Sequence, residues 1–139
     1  MVFRVELLRL RLPKAAHLYD VRERKYLGNG SEFDIELTPA VGKMLAVLPD
    51  KSTGFKVKMP SVAKAGTLVS IEISAEKRHH VWLLTIDNRL EYRKIQSADG
   101  GWKFTIPLAF NDSGILNVKV RDAVTGEERT KKLNVLKGD

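Results

Sequence analysis

From Val2 to Val135, apolar and polar residues alternate in short runs punctuated by Gly, Pro, Asn and Asp, the period-two pattern of half-buried β-strands. The first run, Val2 to Leu12, sets Phe3, Val5 and Leu7 on one face and Leu8, Leu10 and Leu12 on the other. That single slip of phase predicts a β-bulge at Leu7 and Leu8. Pro13 has no N–H to give to a ladder, so it predicts a break or an edge. His17 to Val21 reads as a second short strand, Arg22 to Lys25 as a turn, and Gly28-Asn29-Gly30-Ser31 as a stronger turn, since Gly and Asn adopt positive φ cheaply. Phe33, Ile35 and Leu37 alternate with Asp34 and Glu36, which predicts a strand with an acidic outer face. Thr38-Pro39 closes it, and Lys43 to Leu48 supplies one more strand.

Pro49-Asp50-Lys51-Ser52-Thr53-Gly54 is polar and turn-rich, and it marks a boundary near residue 51 between a small β segment, 1–50, and a larger unit, 51–139. Beyond it the spacing predicts strands over Phe55 to Met59, Leu68 to Ala75, Trp82 to Ile86, Leu90 to Ile95, Trp102 to Leu108, Leu116 to Arg121, and a last one around Leu133 and Val135. Asp87-Asn88, Asp99-Gly100-Gly101, Asn111-Asp112-Ser113-Gly114 and Thr125-Gly126 supply the turns. No helical stripe interrupts the series. The fold expected is all-β: an antiparallel, immunoglobulin-like β-sandwich preceded by a small β-sheet segment.

Charge changes the picture modestly. The net charge is +7, and residues 51–139 carry most of it, with 16 Lys/Arg against 10 Asp/Glu, while residues 1–50 hold 8 against 7. A basic surface supports salt-sensitive contact with anionic polymers. The cations fall at alternate positions rather than in clusters, which describes a solvated strand face, so nucleic acid is not the expected partner. No apolar run approaches the roughly 20 residues of a membrane-spanning helix, and no membrane partner is expected. The chain has no cysteine, so neither disulfides nor thiolate metal sites enter.

Candidate chemistry is sparse. The glycine pairs sit in hairpin turns rather than between a strand and a helix, which argues against a phosphate-binding loop. His79 and His80 are adjacent, so in a strand they point to opposite faces and cannot share an ion. With His17 they read as polar loop residues, and no metal or other cofactor is expected. Asp50, Asp87, Asp99, Asp112 and Asp122 fall at turns, and Asp34, Glu36 and Glu72 at outward strand positions. Hydrolysis of a sugar would need two carboxyl groups held in one cleft, so no catalytic residue is expected. Trp102 shares its phase with Phe104, Ile106 and Leu108, and Trp82 with Leu84 and Ile86, which makes both core residues. Tyr92, beside Arg93 and Lys94, is the aromatic expected to be exposed, and these three are the candidate binding residues.

A resemblance adds a context. Leu18-Tyr19-Asp20-Val21-Arg22 and Lys25-Tyr26-Leu27-Gly28, followed by an alternating strand, Thr38-Pro39 and Lys43-Met44-Leu45-Ala46-Val47-Leu48-Pro49, resemble the closing β-segment of multidomain glycoside hydrolases of the β-galactosidase-like kind. Residues 55–137 are similar to the further immunoglobulin-like module such proteins carry. The matching phrases are Lys64-Ala65-Gly66, Phe104-Thr105-Ile106-Pro107-Leu108-Ala109-Phe110-Asn111-Asp112, Val118-Lys119-Val120-Arg121-Asp122 and Val124-Thr125-Gly126. None of these positions is a catalytic residue of the family. The resemblance implies a non-catalytic accessory region of a glycoside-hydrolase-type protein, with a structural or domain-packing role. Its partner would be the catalytic domain of the parent protein, and the strand beginning at Val2 would continue from a preceding domain. The location would be extracellular or periplasmic if the parent is an exported glycosidase. The alternatives are a carbohydrate-binding module holding polysaccharide through Tyr92, Arg93 and Lys94, and a basic domain contacting nucleic acid.

Overall fold

A computed structural model describes residues 4–76, 79–87, 89–98 and 101–138. Every regular element among them is a strand: β1 (Glu6–Asp20), β2 (Lys25–Leu37), β3 (Leu45–Leu48), β4 (Lys56–Lys58), β5 (Val62–Lys64), β6 (Leu68–Ser74), β7 (His80–Ile86), β8 (Arg89–Ala98), β9 (Gly101–Pro107), β10 (Gly114–Asp122) and β11 (Glu128–Leu136). The chain divides into two compact units, Met1–Ser52 with Val124–Gly126, and Thr53–Ala123 with Glu127–Asp139.

The first unit is a three-stranded antiparallel sheet in the order β2-β1-β3. Pro13 does not end β1. Five steps along β1, from Arg11 to Ala16, are matched by two along β2, from Glu32 to Gly30, so the proline rides in a bulged stretch where no ladder bond is asked of it. The phase slip at Leu7 and Leu8 is not a bulge, because the register runs unbroken from Glu6↔Leu37 to Arg11↔Glu32. Nor do residues 28–31 turn the chain; they lie within β2. Gly28, at φ +126°, sits beside a second irregularity, where one step of β1 (Leu18 to Tyr19) spans two of β2, a conformation that suits glycine. The reversal is made by residues 21–24 instead. There Asp20 accepts the Glu23 N–H at 2.9 Å. Ala16, Leu18, Tyr19 and Asp20 are buried where β1 is flanked on both sides by β2 and β3, whereas Val5, Leu7 and Leu8, farther along the β1–β2 ribbon, are exposed.

The second unit is a sandwich of a three-stranded sheet, β4-β6-β9, and a five-stranded sheet, β5-β11-β10-β7-β8. In the lettering of immunoglobulin domains these are A-B-E and A′-G-F-C-C′. All pairings are antiparallel except β5 with β11, which is parallel through Asn134↔Val62, Val135↔Ala63 and Leu136↔Lys64. Strict alternation builds the core: Val69, Ile71 and Ile73 from β6, Trp82, Leu84 and Ile86 from β7, and Leu116, Val118 and Val120 from β10 all point inward and are buried. Each fully buried aliphatic side chain contributes about 1.5–3 kcal/mol. Trp82 occupies strand C, where immunoglobulin domains carry a tryptophan against an inter-sheet disulfide. Here the chain has no cysteine, and the indole lies in a cluster of buried aliphatic residues with the His80 and Phe55 rings at 5.0 and 6.1 Å between centroids.

Trp102 and Phe104 depart from expectation. They are half-buried rather than central, because β9 is the outer strand of its sheet and covers them from one side only. The two rings stack on each other at 4.2 Å.

Candidate functional site

The candidate binding residues lie on β8, the outer strand of the five-stranded sheet, and the pleat separates them. Leu83↔Ile95 and Leu84↔Lys94 are opposite pairs, and Leu84 points inward, so Lys94 shares the inner side while its neighbours Arg93 and Ile95 take the outer. Lys94 Nζ stands 5.4 Å over the Phe104 ring. Tyr92 is not the free aromatic: it is half-buried against the core, and its hydroxyl donates to the Pro107 carbonyl at 2.8 Å. That bond links the margins of the two sheets. Arg89 lies 5.9 Å from the same ring and forms an ion pair with the buried Asp112. The Asp112 carboxylate raises the Arg89 guanidinium above its ordinary value, and it also accepts the Ala109 N–H at 2.7 Å. Tyr92, Arg89 and Asp112 therefore fasten the sandwich edge, and the three candidates do not converge on one ligand position. Among the described residues the fully exposed aromatic is Phe110, 88 % accessible, whose ring lies over Gly66 at φ +74°, where a Cβ would fall 2.5 Å from it.

Two polar pairs, one fully buried and one partly, were not legible as such. His80 is not a loop residue: it opens β7, is 1 % exposed, and its Nδ1 lies 2.7 Å from Asp122 Oδ2, itself fully buried at the end of β10. The imidazole stacks on Trp82 at 5.0 Å, and its Nε2 and the Trp82 Nε1 have no hydrogen-bond partner among the described residues. The signal was in the phase. His80 leads Trp82 and Leu84 on the inward side, as Asp122 follows Val118 and Val120. His79, exposed at φ 70°, points elsewhere, and His17 belongs to the other unit, where its Nδ1 meets the Tyr26 hydroxyl at 2.8 Å.

The second pair is Asp20 with Lys43, at 3.1 Å. The Glu23 N–H holds the Asp20 carboxyl below its usual range, with Lys43 adding to this against burial, and Asp20 in turn raises Lys43. A depressed folded-state value stabilises the fold above the unfolded carboxylate value, about 3.9, and this contribution is lost as pH falls through the folded value. Asp20→Asn should flatten the acid limb of the first unit's stability. Urea midpoints measured from about pH 5 down to pH 2 check this, and an unchanged slope would refute it.

Among the described residues no group of three or more His, Asp or Glu side chains is placed to hold a metal. A cleft of about 550 Å³ on the outer face of the three-stranded sheet is lined by Ser70, Glu72, Lys103 and Thr105, with Lys58 and Met59 at its side. Glu72 is its one carboxylate and faces Lys103 at 3.9 Å, so the paired carboxyls of glycoside hydrolysis are not assembled there. On the outer face of the five-stranded sheet, Lys119 stands between Thr130 and Thr85, and Lys132 beside Asn117. Arg121, next to Lys119 on that face, stands opposite Glu128, so the cations are few and partly answered, a poor track for a phosphate backbone. Comparison with family models, with curated proteins and with solved structures finds no match for this chain.

Proposed function

We propose that this chain is a non-catalytic β-sandwich module of a glycoside-hydrolase-type protein, whose role is to pack against and space the catalytic domain. One observation carries the reading: the first unit leaves Leu7 and Leu8, on a two-stranded ribbon, at 73 % and 50 % exposure, and Val5, just ahead of it, at 58 %. Such a ribbon is marginal alone, and apolar side chains at its surface are suited to burial against another domain. The polar groups of the second unit support the same reading, since His80 is paired with Asp122 and Arg89 with Asp112.

Leu7→Ser should therefore lower the fluorescence of a bound hydrophobic dye while moving the urea-derived stability by less than about 0.5 kcal/mol. A loss above about 2 kcal/mol would show that Leu7 is used inside the unit and would overturn the packing reading. The second reading, carbohydrate binding, is favoured by the half-exposed Trp102–Phe104 stack beside Lys94. Retention of the chain on insoluble polysaccharide, abolished by Trp102→Ala, would put that reading first.

A further inference from the structure

β1 is covered unevenly. On one side β3 bonds only its end, through His17↔Leu48 to Asp20↔Leu45. Over Glu6–Arg11 the other side is taken by β2, while no backbone bond among the described residues reaches the side that β3 leaves open. Alternate N–H and C=O groups are thus free along six residues, roughly 20 Å of strand.

The side chains flanking this edge say what fits it. Arg9 and Arg11 share one face, Leu8 and Leu10 the other. On the bonded side they are answered by Glu32-Phe33-Asp34-Ile35-Glu36-Leu37, with Leu8 opposite Ile35 and Leu10 opposite Phe33. Arg9 reaches Glu32 at 3.4 Å and Asp34 at 3.7 Å, and Arg11 reaches Glu32 at 3.4 Å. Both arginines stay 60 % and 74 % exposed, and each guanidinium has five N–H donors, more than these contacts use. A second acidic row on the open side would place the arginines between carboxylates, and apolar residues at its alternate positions would extend the Leu8–Leu10 face.

A second copy of the chain does not meet these terms. Paired antiparallel at this edge, its β1 brings only Leu7, Arg9 and Arg11 to the arginine face, so no register sets a carboxylate opposite Arg9 or Arg11, and some set arginine against arginine. Its β2 is thirteen residues long, and in the same register Lys25 to Gly30 would run across the place that β3 holds. We propose that the open edge of β1 over Glu6–Arg11 receives a strand of about six residues from the partner domain, with acidic and apolar side chains in alternation, added antiparallel by β-augmentation. This rests on the packing reading above and names the chemistry of the contact.

The test uses the whole chain and three blocked peptides: Glu-Phe-Asp-Ile-Glu-Leu, the same with lysine at the acidic positions, and the acidic one N-methylated at alternate residues. The acidic peptide should bind at least tenfold more tightly than the other two and slow amide exchange at alternate residues of 6–11, with β2 staying protected. Arg9→Gln/Arg11→Gln should remove that preference and Arg9→Lys/Arg11→Lys largely keep it. The comparison among peptides on the unmutated protein holds even if the ribbon of a variant frays. Equal binding of the acidic and lysine peptides, displacement of β2, or a sedimentation shift to dimers that the peptide suppresses would each overturn the proposal. A Leu7→Ser dye result as expected above, together with indifferent peptides, would remove the strand-addition inference alone; a failed dye result would remove the packing reading itself.

Discussion

Trp82→Ala should lower the stability of the second unit by about 3–5 kcal/mol, the range for truncating a large buried aromatic. The indole is fully buried between the sheets, with Phe55 at 6.1 Å and the β6 and β10 aliphatics about it, so the cavity cannot be filled from solvent. Because small domains hold only about 5–15 kcal/mol in total, the loss takes a large share of the whole and should lower the melting temperature by more than about 10 °C. The remaining tryptophan, Trp102, is half-buried in the same unit and serves as the fluorescent reporter of urea unfolding. A cost below about 1 kcal/mol would mean that the sandwich is not built around this residue.

Asp122→Ala should cost a similar amount, about 3–5 kcal/mol, for a different reason. Its side chain and that of His80 are each 1 % exposed and joined at 2.7 Å, while the imidazole Nε2 has no hydrogen-bond partner among the described residues. Removing the carboxylate leaves both ring nitrogens buried without a hydrogen bond, and each unsatisfied group adds about 1–3 kcal/mol. The pair is coupled rather than additive. His80→Leu/Asp122→Val should therefore be more stable than either single truncation predicts, with an interaction energy of about 1–3 kcal/mol from the double-mutant cycle. Strict additivity would show that the two side chains do not depend on each other.

The strands of the second unit were largely legible, because burial on one face forces a period of two and the inward apolar residues of β6, β7 and β10 were on the expected phase. Pairing was not. The parallel partnership of β5 and β11 joins segments some seventy residues apart, and a three-residue strand leaves no periodic trace. In the first unit, local turn chemistry misled. Pro13 and Gly28-Asn29-Gly30-Ser31 look like breaks, but bulges absorb both while the strand continues. For the binding residues, polar neighbours made Tyr92 look exposed, whereas its hydroxyl is satisfied by a carbonyl on the facing sheet, a long-range bond with no local signature. The buried His80–Asp122 pair was hidden because side-chain polarity outweighed phase. Its positions were nevertheless those of core residues.

The parallel strand has a mechanical meaning. β5 is flanked by the Asn134 N–H to Ser61 bond at 2.8 Å and the Ala65 N–H to Leu136 bond at 2.8 Å. Tension that enters ahead of Ser61 and leaves beyond Leu136 drags two strands of like direction past each other, so these bonds are loaded together in shear instead of being unzipped singly. Rupture is then governed by the rate of one concerted opening. A sandwich fastened in this way carries a pull applied across β5 and β11 before it yields.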